Sequence, residues 1–247
     1  QKNYGAALID DNTPPPAHAI FRWANLAKIV LTAAFLWCIP ILLLTFSLGW
    51  QHAYTQMAWF FTKAALLTFG GAYAVLPYVY QGAVNYYGWL NPTQMIDGLA
   101  LGESTPGPLI MVVAFVGFLG GFNQALLGTE HLFLAGAVGA VIVTWFTFLF
   151  SFVFIFAGAP LIESTHNELK FTAPLTTITA AVVGVILNLA LFFSYHVLWP
   201  NGFDHAFNYE AAIITVAAMI ALFKFQINVL YVIFASAVCG LILYLFV

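Results

Sequence analysis

Long apolar runs recur along the chain after residue 28, and several supply the about 20 residues that an α-helix needs to cross a bilayer. The runs are continuous and rich in Leu, Ala, Phe, Val and Gly, whereas the strands of a membrane barrel alternate apolar and polar residues. Only 6% of the 247 residues are charged, too few to build the surface of a soluble domain. The sequence therefore predicts an all-α integral membrane protein with several spanning helices.

The first 28 residues differ in composition from the rest of the chain. They are polar and contain the run Pro14-Pro15-Pro16, which is typical of a linker. We predict a linker or amino-terminal segment over 1–28 and a transmembrane domain over 29–247. The predicted spanning segments are 29–48, 58–81, 95–122, 132–159, 174–199, 209–223 and 227–247.

Basic residues near the segments predict the orientation of the chain. With seven crossings, four of them share the amino-terminal side: Arg22, Lys28, Lys170 and Lys224. Because basic loops favour the cytoplasm, we expect the amino-terminal side to be cytoplasmic. If 95–122 were instead a re-entrant loop, Lys170 and Lys224 would move to the other face, and the bias would vanish.

Two predicted spanning segments contain sequences that interrupt a helix. Gly70-Gly71 lies in the second segment, and Pro106-Gly107-Pro108 lies in the third. Each proline lacks an amide N–H and clashes with the preceding turn, so the third segment is predicted to split into two half-helices. Broken backbone is tolerated in a membrane only where protein buries it or where it lines a wet cavity. The breaks therefore predict a cavity.

The proline break has the features of an anion site. A half-helix starting near Pro108 directs its positive end toward the break. The donors there are the backbone N–H groups of Gly107, Leu109 and Ile110, and the hydroxyl of Thr105. The alternative is a structural kink.

Lys63 and the two glycines can complete this site. Lys63 precedes Gly70-Gly71 by about two helical turns on the same face and can supply a positive charge. The glycines let backbone approach a ligand closely. Two alternatives remain open: the glycines serve helix packing, and Lys63 extends beside Trp59.

Two more polar residues lie within the apolar segments. Glu103 is near the carboxyl end of the first half-helix, where the helix dipole and poor solvation favour its protonated form. We expect Glu103 to bind a proton during transport, the alternative being a carboxylate that is paired or faces the interface. Asn188 lies in mid-segment, where it lines the cavity or hydrogen-bonds a neighbouring helix.

Other classes of function find little support in the sequence. The net charge of −3 and the lack of a basic stretch argue against nucleic-acid binding. Cys38 and Cys239 have no metal-ligand or redox spacing, so we predict no metal site and no cofactor. No catalytic motif is present, and a membrane enzyme would rest on the single pair Glu163 and His166. We predict that the chain is not an enzyme.

The two interrupted segments belong to longer patterns, FGGAYAVLPY at 69–78 and GLALGESTPGPLI at 98–110, and TAAVVGV follows at 179–185. In these stretches the sequence resembles the chromate ion transporter family. The resemblance runs from about residue 10 to about residue 200, and the combination of motifs at this spacing is specific. The last two predicted segments match only in hydropathy.

The resemblance implies an architecture. Family members are one long chain with two homologous halves or separate short chains, and the halves are inserted with opposite topology. This chain has one copy of each motif, and its first residues are similar to the linker between halves. We therefore expect a carboxy-terminal half of an inverted-repeat transporter, with six to seven transmembrane helices of which two are interrupted. Its expected partners are the bilayer and a homologous half or second chain.

The resemblance also implies a function. We expect export of chromate, a tetrahedral dianion with the shape of sulfate, coupled to an ion gradient such as protons and located in a bacterial inner membrane. The alternatives are a transporter of sulfate or another anion and a non-transporting membrane subunit. The candidate substrate-binding residues are Lys63, Gly70, Gly71, Tyr73, Thr105, Gly107, Leu109 and Ile110.

Overall fold

The structure is a computed structural model that describes residues 22–68, 72–104, 109–164, 172–200, 202–204 and 206–246. Within these ranges all regular secondary structure is helical, as predicted, and no residue lies in a strand. The longer helices are α1 (Trp23–Leu48), α2 (Ala53–Thr68), α3 (Ala72–Tyr80), α4 (Pro92–Ser104), α5 (Val112–Asn123), α6 (Leu132–Ser164), α7 (Thr172–Leu198), α8 (Tyr209–Phe223) and α9 (Val229–Phe246). A π-helix at Gln81–Tyr86 extends α3, and 3-10 turns at Leu109–Met111 and Thr129–His131 precede α5 and α6.

Most helix bounds lie near the predicted ones. α8 has the predicted bounds, while α1 begins at Trp23 rather than at residue 29. The chain divides into two compact units, one from residues up to 70 together with 145–180, the other from 71–144 together with 181–247. The helices that flank the Pro-Gly-Pro sequence, α4 and α5, therefore belong to the second unit.

Two helices of the described chain, α1 and α6, are long and apolar enough to cross a membrane. Little of either apolar stretch is buried, 6% of the residues in α1 and 17% in α6. Phe46 of α1, for example, is 84% exposed. A core helix of a soluble protein buries its apolar face, whereas a lipid-facing helix presents apolar side chains outward. The exposed apolar surface of α1 therefore supports the predicted membrane location.

A proline inside α1 is accommodated by a side chain from α6. Pro40 has no N–H to donate to the carbonyl of Leu36 one turn earlier. The indole N–H of Trp145 donates to that carbonyl oxygen over 3.2 Å. An unpaired backbone group in hydrocarbon is costly, so the indole replaces the missing helical hydrogen bond and joins α1 to α6 in the first unit.

Glycines bring α5 and α6 into backbone contact. A methyl group at Gly117 would lie 2.6 Å from the carbonyl oxygen of Gly139, and one at Gly121 would overlap the carbonyl oxygen of Ala135. Later residues of α5 face earlier residues of α6, so the two helices are antiparallel. The G-x-x-x-G spacing of Gly117 and Gly121 thus marks a helix contact, as such spacing does in membrane proteins.

The structure contradicts the predicted single crossing over 95–122. The side-chain amide of Asn123, at the end of α5, donates to the carbonyl oxygen of Trp89 over 3.1 Å and to Oε1 of Gln94 over 3.2 Å. Further along the pair, Gly98 of α4 packs against the ring of Phe115 of α5. The start of α4 therefore lies beside the end of α5, and the two helices run antiparallel.

The lengths of α4 and α5 make this pair a re-entrant hairpin. The helices have 13 and 12 residues, about 18 to 20 Å each at a rise of about 1.5 Å per residue. The hydrocarbon core is about 30 Å thick, so neither helix spans it. Hydropathy alone could not separate this hairpin from one long helix. The charge argument for orientation counted 95–122 as one full crossing, so it loses its basis.

Cysteine labelling tests the hairpin. In a background without Cys38 and Cys239, single cysteines replace Thr93 and Gln124, which are exposed at the base of α4 and α5. We expect a membrane-impermeant maleimide to label both from the same side of the membrane.

The matched control is a pair of cysteines that flank a full crossing. Trp23 and Gln51 are exposed on either side of α1, so their cysteine variants should label from opposite sides. If Thr93→Cys and Gln124→Cys also labelled from opposite sides, the segment would cross the membrane and the hairpin would be wrong.

Candidate functional site

The predicted site residues differ in how far the structure describes them. Six of them lie outside the described residues: Gly70, Gly71, Thr105, Pro106, Gly107 and Pro108. Three are placed by their backbone, with Tyr73 in the first turn of α3, Glu103 in the last turn of α4 and Leu109 at the start of a 3-10 turn. Side chains are described for three: Lys63, Ile110 and Asn188.

Helices end on both sides of each predicted interruption. α2 ends at Thr68 and α3 begins at Ala72, on either side of the Gly-Gly pair. α4 ends at Ser104, and the 3-10 turn begins at Leu109, on either side of Pro-Gly-Pro. Residues 69–71 and 105–108 lie outside the described residues, so the interruptions themselves stay predictions.

The 3-10 turn Leu109–Met111 is the point at which the interrupted segments meet. It contacts α4 and α5, the two arms of the hairpin, and also α3, the helix that follows Gly70-Gly71. Ile110 within the turn is half-buried. The backbone that follows one predicted break therefore packs against the helix that follows the other, all within the second unit.

The amino end of α5 opens toward this turn. Met111 precedes α5, and its side chain forms no capping hydrogen bond to the first turn. The first N–H groups of a helix carry partial positive charge and attract anions. Val112, Val113 and Val116 are buried and fix α5 in the fold. The 3-10 turn and α5 together thus begin a helical segment directly after residues 105–108 in the sequence.

A polar cluster at the other end of the hairpin holds its two arms together. The N–H of Gln94 donates to Oδ1 of Asn91 over 2.8 Å, and the N–H of Asn91 donates to Oε1 of Gln94 over 3.0 Å. This reciprocal arrangement is a capping box at the start of α4. Asn123 bonds the same Oε1. Sequence reasoning missed this cluster, although the spacing of Asn91 and Gln94 is that of a capping box.

Lys63 lies on α2 in the first unit. Its side chain is half-buried, and its Nζ is 5.9 Å from the centre of the Trp59 ring. This is the packing that the alternative interpretation of Lys63 predicted, and it is a favourable cation–π contact. No carboxylate of the described chain pairs with Lys63. The aromatic face of Trp59 therefore stabilises the positive charge of Lys63.

Asn188 and the remaining candidates lie outside this arrangement. The Asn188 side chain is exposed on α7. The side chain of Glu163 and the whole of His166 lie outside the described part of the structure. Within the described ranges no three His, Cys, Asp or Glu side chains cluster to hold a metal ion, and Cys38 and Cys239 are free thiols.

Comparison with known proteins identifies the family. Residues 55–241 match the sequence profile described as Chromate transporter. The chain belongs to the chromate transporter family. It is therefore a membrane protein of a transporter family, as the motifs predicted, and membership favours transport over catalysis. No solved structure matches the chain.

Individual relatives differ in how much of their length is matched. The chain is 33% identical to the Chromate transport protein of Cupriavidus metallidurans, over 53% of this chain and 29% of that protein. It is 35% identical to the Chromate transport protein of Pseudomonas aeruginosa, over 66% of this chain and 36% of that protein. It is 25% identical to the Uncharacterized transporter YwrA of Bacillus subtilis, over 76% of this chain and 94% of that protein. The chain thus spans about a third of the long relatives and nearly all of a short one.

Proposed function

We propose that this chromate transporter family member moves a tetrahedral oxyanion across a cell membrane and binds it at the tip of the α4–α5 hairpin. The observation that supports this most is the contact of the 3-10 turn Leu109–Met111 with α3, α4 and α5. Helices that flank both predicted breaks converge there, and family membership supplies the class of activity.

Recognition of the anion rests on backbone groups. N–H groups at a helix amino terminus bind phosphate- and sulfate-like ions without a charged side chain. The donors in the proposal are the N–H groups of Gly107, Leu109 and Ile110, with the hydroxyl of Thr105. The proposed ligand set also includes Gly70, Gly71 and Tyr73 of the neighbouring segment, with Lys63 as the positive charge. Pro106 and Pro108 oppose a continuous helix, which would give these donors helical partners.

Chromate is the proposed substrate. Relatives that carry the name Chromate transport protein match 53% and 66% of this chain. The region that matches the family profile, 55–241, includes both interrupted segments. Backbone N–H groups do not distinguish the central atom of a tetrahedral oxyanion, so sulfate is the second candidate. The proposed direction is export.

Proton coupling is assigned to Glu103. Its backbone lies in the last turn of α4, directly before the tip of the hairpin. A carboxylate at the carboxyl end of a helix, within the apolar region, favours its protonated form. A proton bound there would remove a negative charge close to the anion, so anion and proton occupancy would be linked.

The proposal includes a second repeat of the transporter, supplied by a homologous half or by another chain. Transporters built from inverted repeats bind substrate where the repeats meet, so one repeat supplies only part of the contacts. Two kinds of relative fit such an assembly. In a long relative the match covers 29% of the protein, which leaves room for a second half. In a short relative it covers 94% of the protein, so a second chain would supply the other repeat. The proposed location is the bacterial inner membrane.

Flux of isotopically labelled chromate into proteoliposomes tests the function. We expect vesicles that contain the chain with its homologous half to move chromate faster than protein-free vesicles, because only they offer a path through the hydrocarbon. Sulfate in excess should slow the flux if it shares the site. In the same assay Glu103→Gln should lower the rate and flatten its pH dependence.

Two outcomes would contradict the proposal. No chromate flux above that of protein-free vesicles, from well-folded protein, would favour a non-transporting subunit. A Glu103→Gln variant with unchanged rate and pH profile would leave transport in place but remove Glu103 from proton coupling.

A further inference from the structure

One side of α4 is exposed along most of its length, and the opposite side is buried. Thr93, Asp97 and Ala100 are exposed, and their spacing of four and three residues places them on one side of the helix. We call these three residues the open face of α4. On the opposite side Met95 is 0% exposed and Leu99 is 5% exposed. α4 therefore packs through one side and leaves the other uncovered.

The buried side of α4 is directed at the other arm of the hairpin. Gly98 packs against the ring of Phe115 of α5, and α4 also contacts the 3-10 turn that precedes α5. The open face is therefore turned away from α5. It begins at Thr93, the second residue of α4, and Ala100 lies about one helical turn before the end of the helix. The open face thus extends from the base of the hairpin almost to its tip.

The open face differs in chemistry from a surface that faces lipid. The exposed side chains of the membrane-crossing helix α1 are large and apolar, such as Phe35 at 64% and Phe46 at 84% exposure. The open face instead presents a hydroxyl group, a carboxylate and a methyl group. An exposed leucine, Leu101, lies only at its border. Lipid tails therefore suit the surface of α1 and do not suit the open face.

The carboxylate of Asp97 requires water within the hairpin. The polar cluster around Asn91 puts the base of the hairpin at the membrane surface. Asp97 lies about 8 Å beyond Pro92 along the helix axis and Ala100 about 12 Å beyond it, whereas the headgroup layer is about 5 to 8 Å thick. Within the described ranges Asp97 has no ion pair or hydrogen bond. Ionised side chains inside a membrane face protein or a water-filled cavity rather than lipid.

We propose that the open face of α4 lines an aqueous passage from the membrane surface to the tip of the hairpin, and that the transported oxyanion passes Asp97 on its way. The occupant of this face is water with the anion dissolved in it. The path of the anion rests on the proposed function, whereas the entry of water along α4 does not.

The charge of Asp97 acts in two ways on such a passage. A carboxylate binds water strongly, so it keeps the start of the passage hydrated. It also repels a dianion dissolved in the same water, and salt screens this repulsion beyond about 10 Å at 0.1 M ionic strength. Asp97 therefore lowers the local concentration of the oxyanion when little salt is present.

Reaction of a cysteine with a water-soluble reagent tests the passage. The background lacks Cys38 and Cys239, and the chain is inserted in a membrane with its homologous half. We expect a membrane-impermeant maleimide to label Ala100→Cys from the same side as Thr93→Cys, because the reactive thiolate forms only in water.

Ala34→Cys is the matched control. Ala34 is exposed as Ala100 is, but it lies on the apolar surface of α1. Ala100→Cys should react about tenfold faster than Ala34→Cys, and both should react once detergent unfolds the protein. Asp97→Cys replaces Ala100→Cys if the latter does not insert. If the thiol on α4 reacted as slowly as that of Ala34→Cys, the open face would lie against lipid or protein and the passage would be wrong.

The concentration dependence of chromate flux tests the role of the charge. At low ionic strength Asp97→Asn should lower the KM for chromate about threefold, and at about 1 M salt its KM should equal that of the native protein. Asp97→Glu keeps the charge and should keep the native KM. Equal KM values for Asp97→Asn and Asp97→Glu at low salt would show that the anion does not pass Asp97.

The labelling and flux measurements separate this inference from the proposed function. If Ala100→Cys labels from the side of Thr93→Cys but the native protein moves no chromate, the aqueous passage stands and the proposed function fails. If the native protein moves chromate but Ala100→Cys does not label, transport stands and the passage along α4 is overturned.

Discussion

Gly139→Leu is expected to prevent α5 from packing against α6. A methyl group at Gly139 would overlap the carbonyl oxygen of Gly117, which is backbone and cannot rotate away as a side chain does. Overpacking of this kind costs about 3 kcal/mol, and here the whole helix must move. We expect the variant to lose its monodisperse peak in size-exclusion chromatography in detergent and to unfold at a lower temperature than the native protein.

The same substitution at Gly158 is the matched control. Gly158 lies further along α6, and a methyl group there has no heavy atom within 4 Å. Gly158→Leu should therefore elute and unfold like the native protein, because Leu is a good helix former with an apolar side chain. If Gly139→Leu and Gly158→Leu had the same elution profile and unfolding temperature, the packing of α5 on α6 would not depend on their backbone contact.

Local chemistry explains which parts of the fold could be predicted. Proline and glycine act on the backbone at their own position, so the sequence could predict that α4 and α5 are separate helices on either side of Pro106 and Pro108. The contact of Gly117 with α6 has a similarly local cause, since G-x-x-x-G spacing places Gly117 and Gly121 on one helix face.

The hairpin of α4 and α5 could not be predicted in this way. An apolar stretch of this length has the same hydropathy whether it continues straight or reverses at Pro-Gly-Pro. The hydrogen bond from Asn123 to Gln94, two residues 29 positions apart, distinguishes the hairpin from a straight helix. Nothing local to either residue reveals that pairing, so a single crossing was predicted where the chain turns back.

The candidate site was predictable to a similar degree. Trp59 and Lys63 are four residues apart on one helix, so their contact was foreseen as one of two alternatives. The ring contact of His196 with Tyr80 was missed, because the two residues belong to different helices. Side chains that gain their role from a distant partner are the ones that sequence patterns fail to indicate.

Replacing Pro106, Gly107 and Pro108 together by Ala is expected to abolish chromate flux. Pro costs about 3 kcal/mol and Gly about 1 kcal/mol relative to Ala in a helix, so the triple variant favours helix where the native sequence opposes it. A helix that continued from α4 through these residues would give every N–H of the tip a helical partner and leave none for an anion. Flux into proteoliposomes should fall to that of protein-free vesicles, while the amount of inserted protein stays the same.

Pro40→Ala is the control for removing a proline from an apolar helix. Pro40 lies in α1, and Ala would restore the N–H that the Leu36 carbonyl now receives from Trp145. We expect Pro40→Ala to insert and to keep its flux, because this change strengthens a helix that has no part in the hairpin. The labelling of Thr93→Cys and Gln124→Cys in the triple variant would show whether the hairpin has opened. Native flux from the triple variant would exclude the hairpin tip as the anion site, because its backbone donors would no longer be free.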